Sequence, residues 1–250
     1  MQVVVNSIIV HYQKFGKGPA VVLVHGWGDS SASFAKLQAD LSKDKQVFSL
    51  DLPGFGRSQP PLNTWDLDDY AKFLADFLDK LDVDEVEAFV GHSNGGAICI
   101  RGLANGILSS EKLVLLGSSG IRTGKFLRKY FFRAAAKVGR AVTAPLPVDK
   151  RRRLRQKLYK AAGSDMLVAE HMQETFKRVV SQDVQSDARK LKLPTLLIYG
   201  HGDTETPALF GVRFQKLIKG SELRILDDAE HFAHRDQPKA VADLIQEFLK

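Results

Sequence analysis

The segment that decides the fold is VEAFVGHSNGGAICI, residues 86–100. Its first five residues form an apolar, strand-like run, and a helical pattern begins soon after the GHSNGG stretch at 91–96. A chain that passes directly from a strand into a helix makes a sharp turn with a strained backbone. Side chains two residues before and after Ser93 would collide in such a turn. Glycine occupies both of those positions. The pattern therefore predicts that the Ser93 hydroxyl lies exposed above the end of the strand.

On both sides of this turn, short apolar runs bounded by Gly, Pro and Asp alternate with longer segments of helical period. Such alternation is typical of parallel strands joined by crossover helices, so we expect an α/β fold with a mostly parallel sheet flanked by helices. The predicted strands are residues 20–24, 46–50, 86–90, 112–116, 195–199 and 223–226. The predicted helices are residues 31–41, 70–81, 94–105, 207–219 and 238–249, preceded by an edge hairpin at 3–5 and 8–12.

The alternation stops between Ile121 and about Leu191, where helical periodicity continues without a strand-like run. The sequence predicts a helical insertion at residues 121–190 in a core formed by residues 1–120 and 191–250. An insertion at this point would lie over the carboxyl ends of the strands, where open α/β sheets bind ligands.

Length and composition favour one domain with a large core. The chain has 250 residues, of which 44% are hydrophobic, and one cysteine, Cys99, which is expected to be a packing residue. No apolar run has membrane-spanning length, and the first residues lack the pattern of a secretory signal. We expect a soluble cytoplasmic protein with no disulfide framework, no metal and no cofactor.

A site for acyl transfer needs two backbone N–H groups that stabilise the developing oxyanion. One comes from the residue after the nucleophile, which here is Asn94. The other comes from a loop at a neighbouring strand end, and HGWG at 25–28 follows the strand at 20–24. The candidates are therefore the N–H groups of Asn94 and Trp27, whereas His25 is expected to hold the loop.

The base for Ser93 must be a histidine within hydrogen-bond reach. Three late histidines compete for this role. His231 lies in a loop after the last predicted strand and is our choice. His234 is expected to buttress that loop, and His201 is the weakest candidate.

The acid that orients this base must follow another strand end. Asp203 ends YGHGD at 199–203, directly after a predicted strand, and the order Ser93, Asp203, His231 is the one this kind of fold predicts. Asp183 and Asp187 are expected to be solvated or capping. The GSSG stretch at 117–120 offers no carboxylate, so the alternative strand end for a triad acid is empty.

These motifs together resemble the α/β-hydrolase superfamily, in particular its small capped serine esterase-like members. The motifs are HGWG at 25–28, DLPGFGRS at 51–58, GHSNGG at 91–96, YGHGD at 199–203 and EHFAHRDQP at 230–238. The resemblance covers essentially the whole chain. It implies a serine that attacks a carbonyl carbon, a covalent acyl-enzyme and hydrolysis of that intermediate by water.

The same resemblance implies that Asp51 and Arg57 fix a loop and that residues 121–190 form a cap over the pocket. Two residues depart from the family pattern. Asn94 follows the nucleophile where an apolar residue or Gln is more usual, which leaves the backbone N–H intact. Glu230 stands where Gly commonly precedes the histidine, and this bears on the loop that carries His231.

The net charge of +7 belongs to one segment. Residues 122–160 hold fourteen Lys or Arg and one acid, and the rest of the chain has more acids than bases. Bases recur at spacings of three and four over 125–140, which predicts a basic amphipathic helix, and a second cluster lies at 150–157. The segment is either a solvated face or a docking surface for an acidic partner such as anionic lipid. Nucleic-acid binding is not expected, because no binding motif is recognised.

The leading hypothesis is hydrolysis of a small or medium carboxylic ester by the triad. A receptor-like binding module with negligible turnover is an alternative from another class. An amidase or a carbon–carbon bond hydrolase would use the same catalytic groups.

Overall fold

The computed structural model of the protein describes residues 1–122 and 170–250. The predicted basic helix at 125–140 and the basic cluster at 150–157 lie outside the described residues. In the described ranges no helix combines the length and the apolar composition that crossing a bilayer requires.

The described strands form one sheet with the order β1-β2-β4-β3-β5-β6-β7-β8. The strands are β1 (Gln2–Val5), β2 (Ile8–Phe15), β3 (Ala20–Val24), β4 (Gln46–Leu50), β5 (Val86–His92), β6 (Lys112–Leu116), β7 (Thr195–Gly200) and β8 (Glu222–Leu226). The β1–β2 and β2–β4 pairs are antiparallel, and the other pairs are parallel. The carboxyl ends of β3, β5, β6, β7 and β8 therefore lie along one edge of the sheet.

Helices cover both faces of this sheet. The described helices are α1 (Ala35–Leu41), α2 (Leu67–Lys80), α3 (Asn94–Ala104), α4 (Gln173–Ser181), α5 (Gln185–Ala188), α6 (Ala208–Leu217), α7 (Ala233–Asp236) and α8 (Pro238–Phe248). Val22 and Val24 of β3 pack with α2 and α3, whereas Val21 and Leu23 pack with α1 and α8. Successive strand residues point to opposite faces, so β3 is apolar throughout because both faces are covered.

Most predicted boundaries are confirmed to within two or three residues. β5 and β7 run two and one residues further than predicted, to His92 and Gly200. The helix predicted from residue 70 begins at Leu67, because Asp66 caps it by accepting from the N–H groups of Asp68 and Asp69. The predicted helix at 31–41 starts as a 3₁₀ turn over Ser31–Phe34 and continues as α1.

The described end of the predicted insertion is attached to the core by charged residues. Asp183 accepts from the N–H of Gln185 at 2.8 Å, where α5 begins, and from the N–H of Arg122 at 2.9 Å. The expectation that Asp187 is solvated or capping was wrong. Its carboxylate is buried and lies 2.8 Å from Arg101 Nε on α3. The boundaries 121 and 190 themselves stay a prediction.

Candidate active site

Ser93 lies at the junction between β5 and α3, as the sequence predicts. Its backbone has φ 51° and ψ −116°, a region that residues with a side chain rarely adopt because of steric clash. Gly96 and Ala97 both donate their N–H groups to the Ser93 carbonyl, at 3.1 and 3.4 Å. The turn therefore holds Ser93 in a strained conformation at the edge where the strands end.

The glycines of this turn are required by close backbone contacts. A Cβ atom at Gly91 would lie 2.6 Å from Gly96 Cα, and one at Gly95 would lie 2.1 Å from the Val24 carbonyl oxygen. Real Cβ atoms essentially never come so close to backbone atoms. The steric explanation of the GHSNGG pattern is thus confirmed.

Asp203 and His231 meet across the ends of β7 and β8. His231 Nδ1 lies 2.8 Å from Asp203 Oδ2, and the Asp203 side chain is fully buried. The other carboxylate oxygen accepts the N–H groups of Glu205 at 2.8 Å and Thr206 at 2.9 Å. Burial raises the pKa of Asp203, but the hydrogen bond and charge of His231 and the hydrogen bonds from Thr206 outweigh it, so its pKa lies below the ordinary value. The carboxylate stays ionised beside the imidazole.

The opposite edge of the His231 ring lies beside a residue that lines the same cavity as Ser93. His231 Nε2 lies 3.5 Å from Glu205 Oε2, and Glu205 and Ser93 line the same cavity. His92, the neighbour of Ser93, donates from Nε2 to the His231 carbonyl at 3.0 Å. The structure therefore brings Ser93, His231 and Asp203 to one region of the molecule.

The predicted oxyanion donors lie next to Ser93. Trp27 and Asn94 line the cavity together with Ser93. A Cβ atom at Gly26 would lie 3.0 Å from Ser93 Cβ, so the loop before Trp27 runs directly against the serine. Asn94 begins α3, and the first N–H groups of a helix have no partner within the helix.

The other histidines near the site are structural. His25 donates from Nδ1 to the Gly26 carbonyl at 2.7 Å, and its Nε2 accepts from the Leu52 N–H at 2.9 Å, which confirms that it holds its loop. His234 is buried between the rings of Phe34 and His92, whereas His201 is exposed. The His234 ring also lies 6.0 Å from the ring of Phe232, the residue after His231, which agrees with the expectation that His234 buttresses the base loop.

Burial sets the protonation of these structural rings. Desolvation lowers the pKa of His234 to about 3, helped by the charges of Arg235 and His231. Burial also lowers the pKa of His92, as do the neighbouring histidines, and the hydrogen bond to the His231 carbonyl only partly offsets this. Both rings are therefore neutral near pH 7.

Asp51 acts as the loop-fixing residue that was expected. Its two carboxylate oxygens accept from the backbone N–H of Ser31 at 2.7 Å and of Arg57 at 2.9 Å. Burial raises the pKa of Asp51, but these hydrogen bonds lower it more, so its pKa lies below the usual value. The carboxylate joins the loop after β4 to the first turn before α1.

The cavity beside Ser93 is mostly apolar where the structure describes it. Its apolar lining residues are Trp27, Leu67, Ala97, Ile121, Phe176, Val179, Val180 and Phe210. The charged residues in the described lining are Arg122 and Glu205. Sequence reasoning missed Glu205 and Thr206, although both stand within three residues of the predicted acid, Asp203, and that proximity was the available signal.

Comparison with known proteins agrees with this architecture. A model described as the alpha/beta hydrolase family matches residues 21–244. Among curated proteins, 2-hydroxy-6-oxo-2,4-heptadienoate hydrolase of Pseudomonas putida is 26% identical over an alignment of 262 residues. The alignment covers 99% of this chain and 95% of that protein.

Solved structures share the fold of this protein. A hydrolase from Pseudomonas aeruginosa PA01 has a TM-score of 0.79 at 22% identity and covers 100% of this chain and 97% of its own. The enol-lactonase from Burkholderia xenovorans LB400 has a TM-score of 0.77 at 20% identity, with coverages of 100% and 99%. At these identities the likeness concerns the fold alone, and the predicted fold class is confirmed.

Proposed function

This chain belongs to the alpha/beta hydrolase family, and we propose that it is a serine hydrolase with Ser93, His231 and Asp203 as its catalytic residues. The observation that carries the proposal is the 2.8 Å contact between His231 Nδ1 and Asp203 Oδ2. Glu205 and Thr206, which contact His231 and Asp203 respectively, line the same cavity as Ser93. In a nucleophile–base–acid relay, a carboxylate bonds to one ring nitrogen of a histidine, and the other ring nitrogen takes the proton of a serine. Asp203, His231 and Ser93 are the proposed acid, base and nucleophile.

The first step forms an acyl-enzyme. Asp203 accepts a hydrogen bond from the Nδ1–H of His231, so the proton of the neutral ring stays on Nδ1 and the Nε2 lone pair is available as a base. His231 takes the Ser93 proton while Oγ attacks the substrate carbonyl carbon. The oxygen of that carbonyl becomes an anion, and the N–H groups of Trp27 and Asn94 are the proposed donors that stabilise it.

The second half of the cycle returns the enzyme to its starting state. The His231 imidazolium gives its proton to the leaving oxygen, so the alcohol departs and the acyl group stays on Ser93. Water then loses a proton to His231 and attacks the acyl carbon. Collapse of this intermediate releases the acid and returns the proton to Ser93.

The proposed substrate is a small or medium carboxylic ester. The described cavity lining is mostly apolar, which suits an acyl chain, because burying apolar surface is favourable. α4 supplies Phe176, Val179 and Val180 to this lining, which supports a role of residues 121–190 as a cap. An acidic partner or anionic lipid at the basic segment 122–160, and a cytoplasmic location, stay predictions.

A second candidate is hydrolysis of a carbon–carbon bond beside a carbonyl. The Pseudomonas putida relative favours it, since its name gives 2-hydroxy-6-oxo-2,4-heptadienoate as the substrate. Ser93 would attack the ketone carbon of such a compound, and the proton held by His231 would go to the departing carbon. The catalytic groups are the same, so substrate comparison distinguishes the two candidates.

The test compares wild type with Ser93→Ala and with Ser119→Ala, which removes another serine of the same cavity lining. Substrates are p-nitrophenyl acetate, butyrate and octanoate, a matched p-nitroanilide, and 2-hydroxy-6-oxo-2,4-heptadienoate. We expect ester turnover by wild type and Ser119→Ala, and a loss of at least about a thousandfold in kcat for Ser93→Ala.

Each other outcome has its own meaning. A higher kcat/KM for the dienoate than for every ester makes the second candidate correct, and a preference for the anilide indicates an amidase. Binding of these compounds without turnover favours a receptor-like protein. Equal turnover by Ser93→Ala and wild type overturns the assignment of the nucleophile.

A further inference from the structure

One buried hydroxyl joins three strand ends behind the Asp203–His231 pair. Thr206 Oγ1 lies 2.8 Å from the Gly117 carbonyl oxygen, 2.7 Å from Asp203 Oδ2 and 3.1 Å from His231 Nδ1. Gly117 directly follows β6, Asp203 follows β7 and His231 follows β8. The hydroxyl therefore contacts one group at the carboxyl end of each of three neighbouring strands.

The chemistry of these partners limits how the protons are placed. A threonine hydroxyl has one proton to donate and lone pairs to accept. The Gly117 carbonyl and the ionised Asp203 carboxylate only accept, and His231 Nδ1, 2.8 Å from that carboxylate, must itself donate to it. The hydroxyl proton therefore goes to the carbonyl or to the carboxylate. Whichever it is, His231 Nδ1 has two oxygens within reach that can accept, Thr206 Oγ1 and Asp203 Oδ2. This nitrogen therefore carries the proton of the neutral imidazole.

Thr206 also holds the carboxylate with its backbone. Its N–H donates to Asp203 Oδ1 at 2.9 Å, while its hydroxyl lies against Oδ2. Gly117 passes close to both groups, because a Cβ atom there would lie 3.3 Å from Asp203 Oδ2 and 3.4 Å from Thr206 Oγ1. The strand end after β6, which offers no carboxylate of its own, thus supplies the carbonyl that anchors the threonine.

We propose, resting on the proposed function, that Thr206 is a positioning residue of the active site. Its hydroxyl fixes the Asp203 carboxylate and keeps the proton of neutral His231 on Nδ1, so that Nε2 is ready to receive the Ser93 proton. The residue acts through Asp203 and His231 rather than on the reacting atoms. Loss of the hydroxyl should therefore lower kcat and leave KM nearly unchanged.

The experiment measures kcat and KM for p-nitrophenyl butyrate with Thr206→Val, Thr206→Ser and Thr195→Val. Valine keeps the shape and the backbone N–H of threonine but removes the hydroxyl, whereas serine retains the hydroxyl. Thr195→Val is the matched control, because it removes a buried threonine hydroxyl that bonds to the Leu193 carbonyl at the start of β7, away from the cavity. If Thr206→Val does not fold, Thr206→Ala is used in its place.

We expect kcat to fall roughly ten- to hundredfold in Thr206→Val, the effect of losing a hydrogen bond to a charged group. KM should change by less than about twofold, and Thr206→Ser and Thr195→Val should stay near wild type. A Thr206→Val enzyme with wild-type kcat contradicts the proposal, as does a serine variant as slow as the valine variant. Ser93→Ala runs in parallel, so unchanged turnover by that variant identifies a failure of the proposed function instead.

A proton NMR measurement tests the proposal without any turnover. The Nδ1 proton of His231 gives a low-field resonance that is assigned by its absence in His231→Gln. We expect this resonance to shift or broaden in Thr206→Val and to persist unchanged in Thr195→Val. An identical resonance in wild type and Thr206→Val rules out contact between the hydroxyl and the Nδ1 proton.

Discussion

The turn that carries Ser93 is shaped by backbone contacts, some with residues close in sequence and some with one neighbouring strand. The Asp203–His231 pair, in contrast, is held by hydrogen bonds from several distant segments. At the turn, Gly91 abuts Gly96 and Gly95 abuts β3. At the pair, Thr206 reaches the carbonyl of Gly117. Steric exclusion leaves a visible glycine pattern in the sequence, and a distributed hydrogen-bond network does not.

The two regions should therefore respond differently to substitution. A change in the Ser93 turn disturbs the fold, because backbone atoms fill the space that a side chain would need. A change at the pair should disturb the fold less, because a substituted side chain of similar size meets no backbone clash there, and it should lower the rate of reaction instead.

The largest effect is expected at the pair. Asp203→Asn removes the acceptor that keeps the proton on His231 Nδ1, so kcat should fall by roughly 10³- to 10⁴-fold. Circular dichroism and the melting temperature should show that the fold is retained. Asp227→Asn is the control, since this exposed carboxylate lies 3.9 Å from His201 rather than at the base. Nearly full activity in Asp203→Asn shows that the pair is not catalytic.

The next largest effect is expected at the turn. The Cβ atom of Gly95→Ala would lie 2.1 Å from the Val24 carbonyl, so the free energy of unfolding should drop by about 3 kcal/mol or more. Urea denaturation measures this. Gly106→Ala is the control, because nothing lies within 4 Å of its Cβ position and only its φ of 69° is unfavourable. Equal losses in both variants mean that close contact does not shape the turn.

An intermediate effect is expected from His234, which packs behind the base loop. Burial lowers its pKa to about 3, whereas the unfolded chain has a histidine pKa of about 6.5. The unfolded state therefore binds an additional proton between these values, and stability must fall as the pH drops through this window. Between pH 6.5 and 4.5 the titration of this one ring should lower the free energy of unfolding by about 2–3 kcal/mol.

The His234→Leu variant removes that titration. Urea midpoints at pH 7 and pH 4.5 should differ less in His234→Leu than in wild type, although the pKa of buried His92 is also lowered and keeps part of the dependence. His201→Gln, a change at an exposed ring, should keep the wild-type dependence. If His234→Leu and wild type lose the same stability between pH 7 and pH 4.5, His234 does not titrate in this way.

The smallest effect is expected from Glu205, which lies 3.5 Å from His231 Nε2 with a side chain that is 54% exposed. Its charge should repel an anionic substrate near the base, weakened by solvent screening. Glu205→Gln should raise kcat/KM for an anionic succinate ester by about two- to fivefold relative to a neutral butyrate ester at low salt. Glu230→Gln, a change at an exposed acid outside the described lining, is the control. An unchanged ratio means that Glu205 does not set charge preference.

The sequence was sufficient for most of the sheet and for the Ser93 turn. Apolar runs predicted β3, β4 and β6 to the residue, because a strand covered on both faces is mostly apolar. Asp203 and His231 followed from their places after strand ends. The carboxyl ends of parallel strands meet at one edge, so these places imply proximity in space.

The role of Thr206 was not predictable in the same way. Its hydroxyl finds the carbonyl of Gly117, 89 residues earlier in the chain, and no local pattern marks such a contact. Likewise Asp187 was expected to be solvated or capping because it lies in or near the predicted insertion, but tertiary packing buries it against Arg101. Contacts of this kind depend on how distant segments pack, which periodicity and spacing do not encode.

The most direct test of the central claim is to map the covalent adduct formed by a fluorophosphonate. Intact mass followed by peptide mass spectrometry locates the phosphorus in wild type, His231→Gln and Ser119→Ala. We predict one adduct on Ser93 in wild type and in Ser119→Ala, and greatly slowed labelling in His231→Gln. An adduct on any other residue, or labelling of Ser93 that proceeds equally fast without His231, would contradict this prediction.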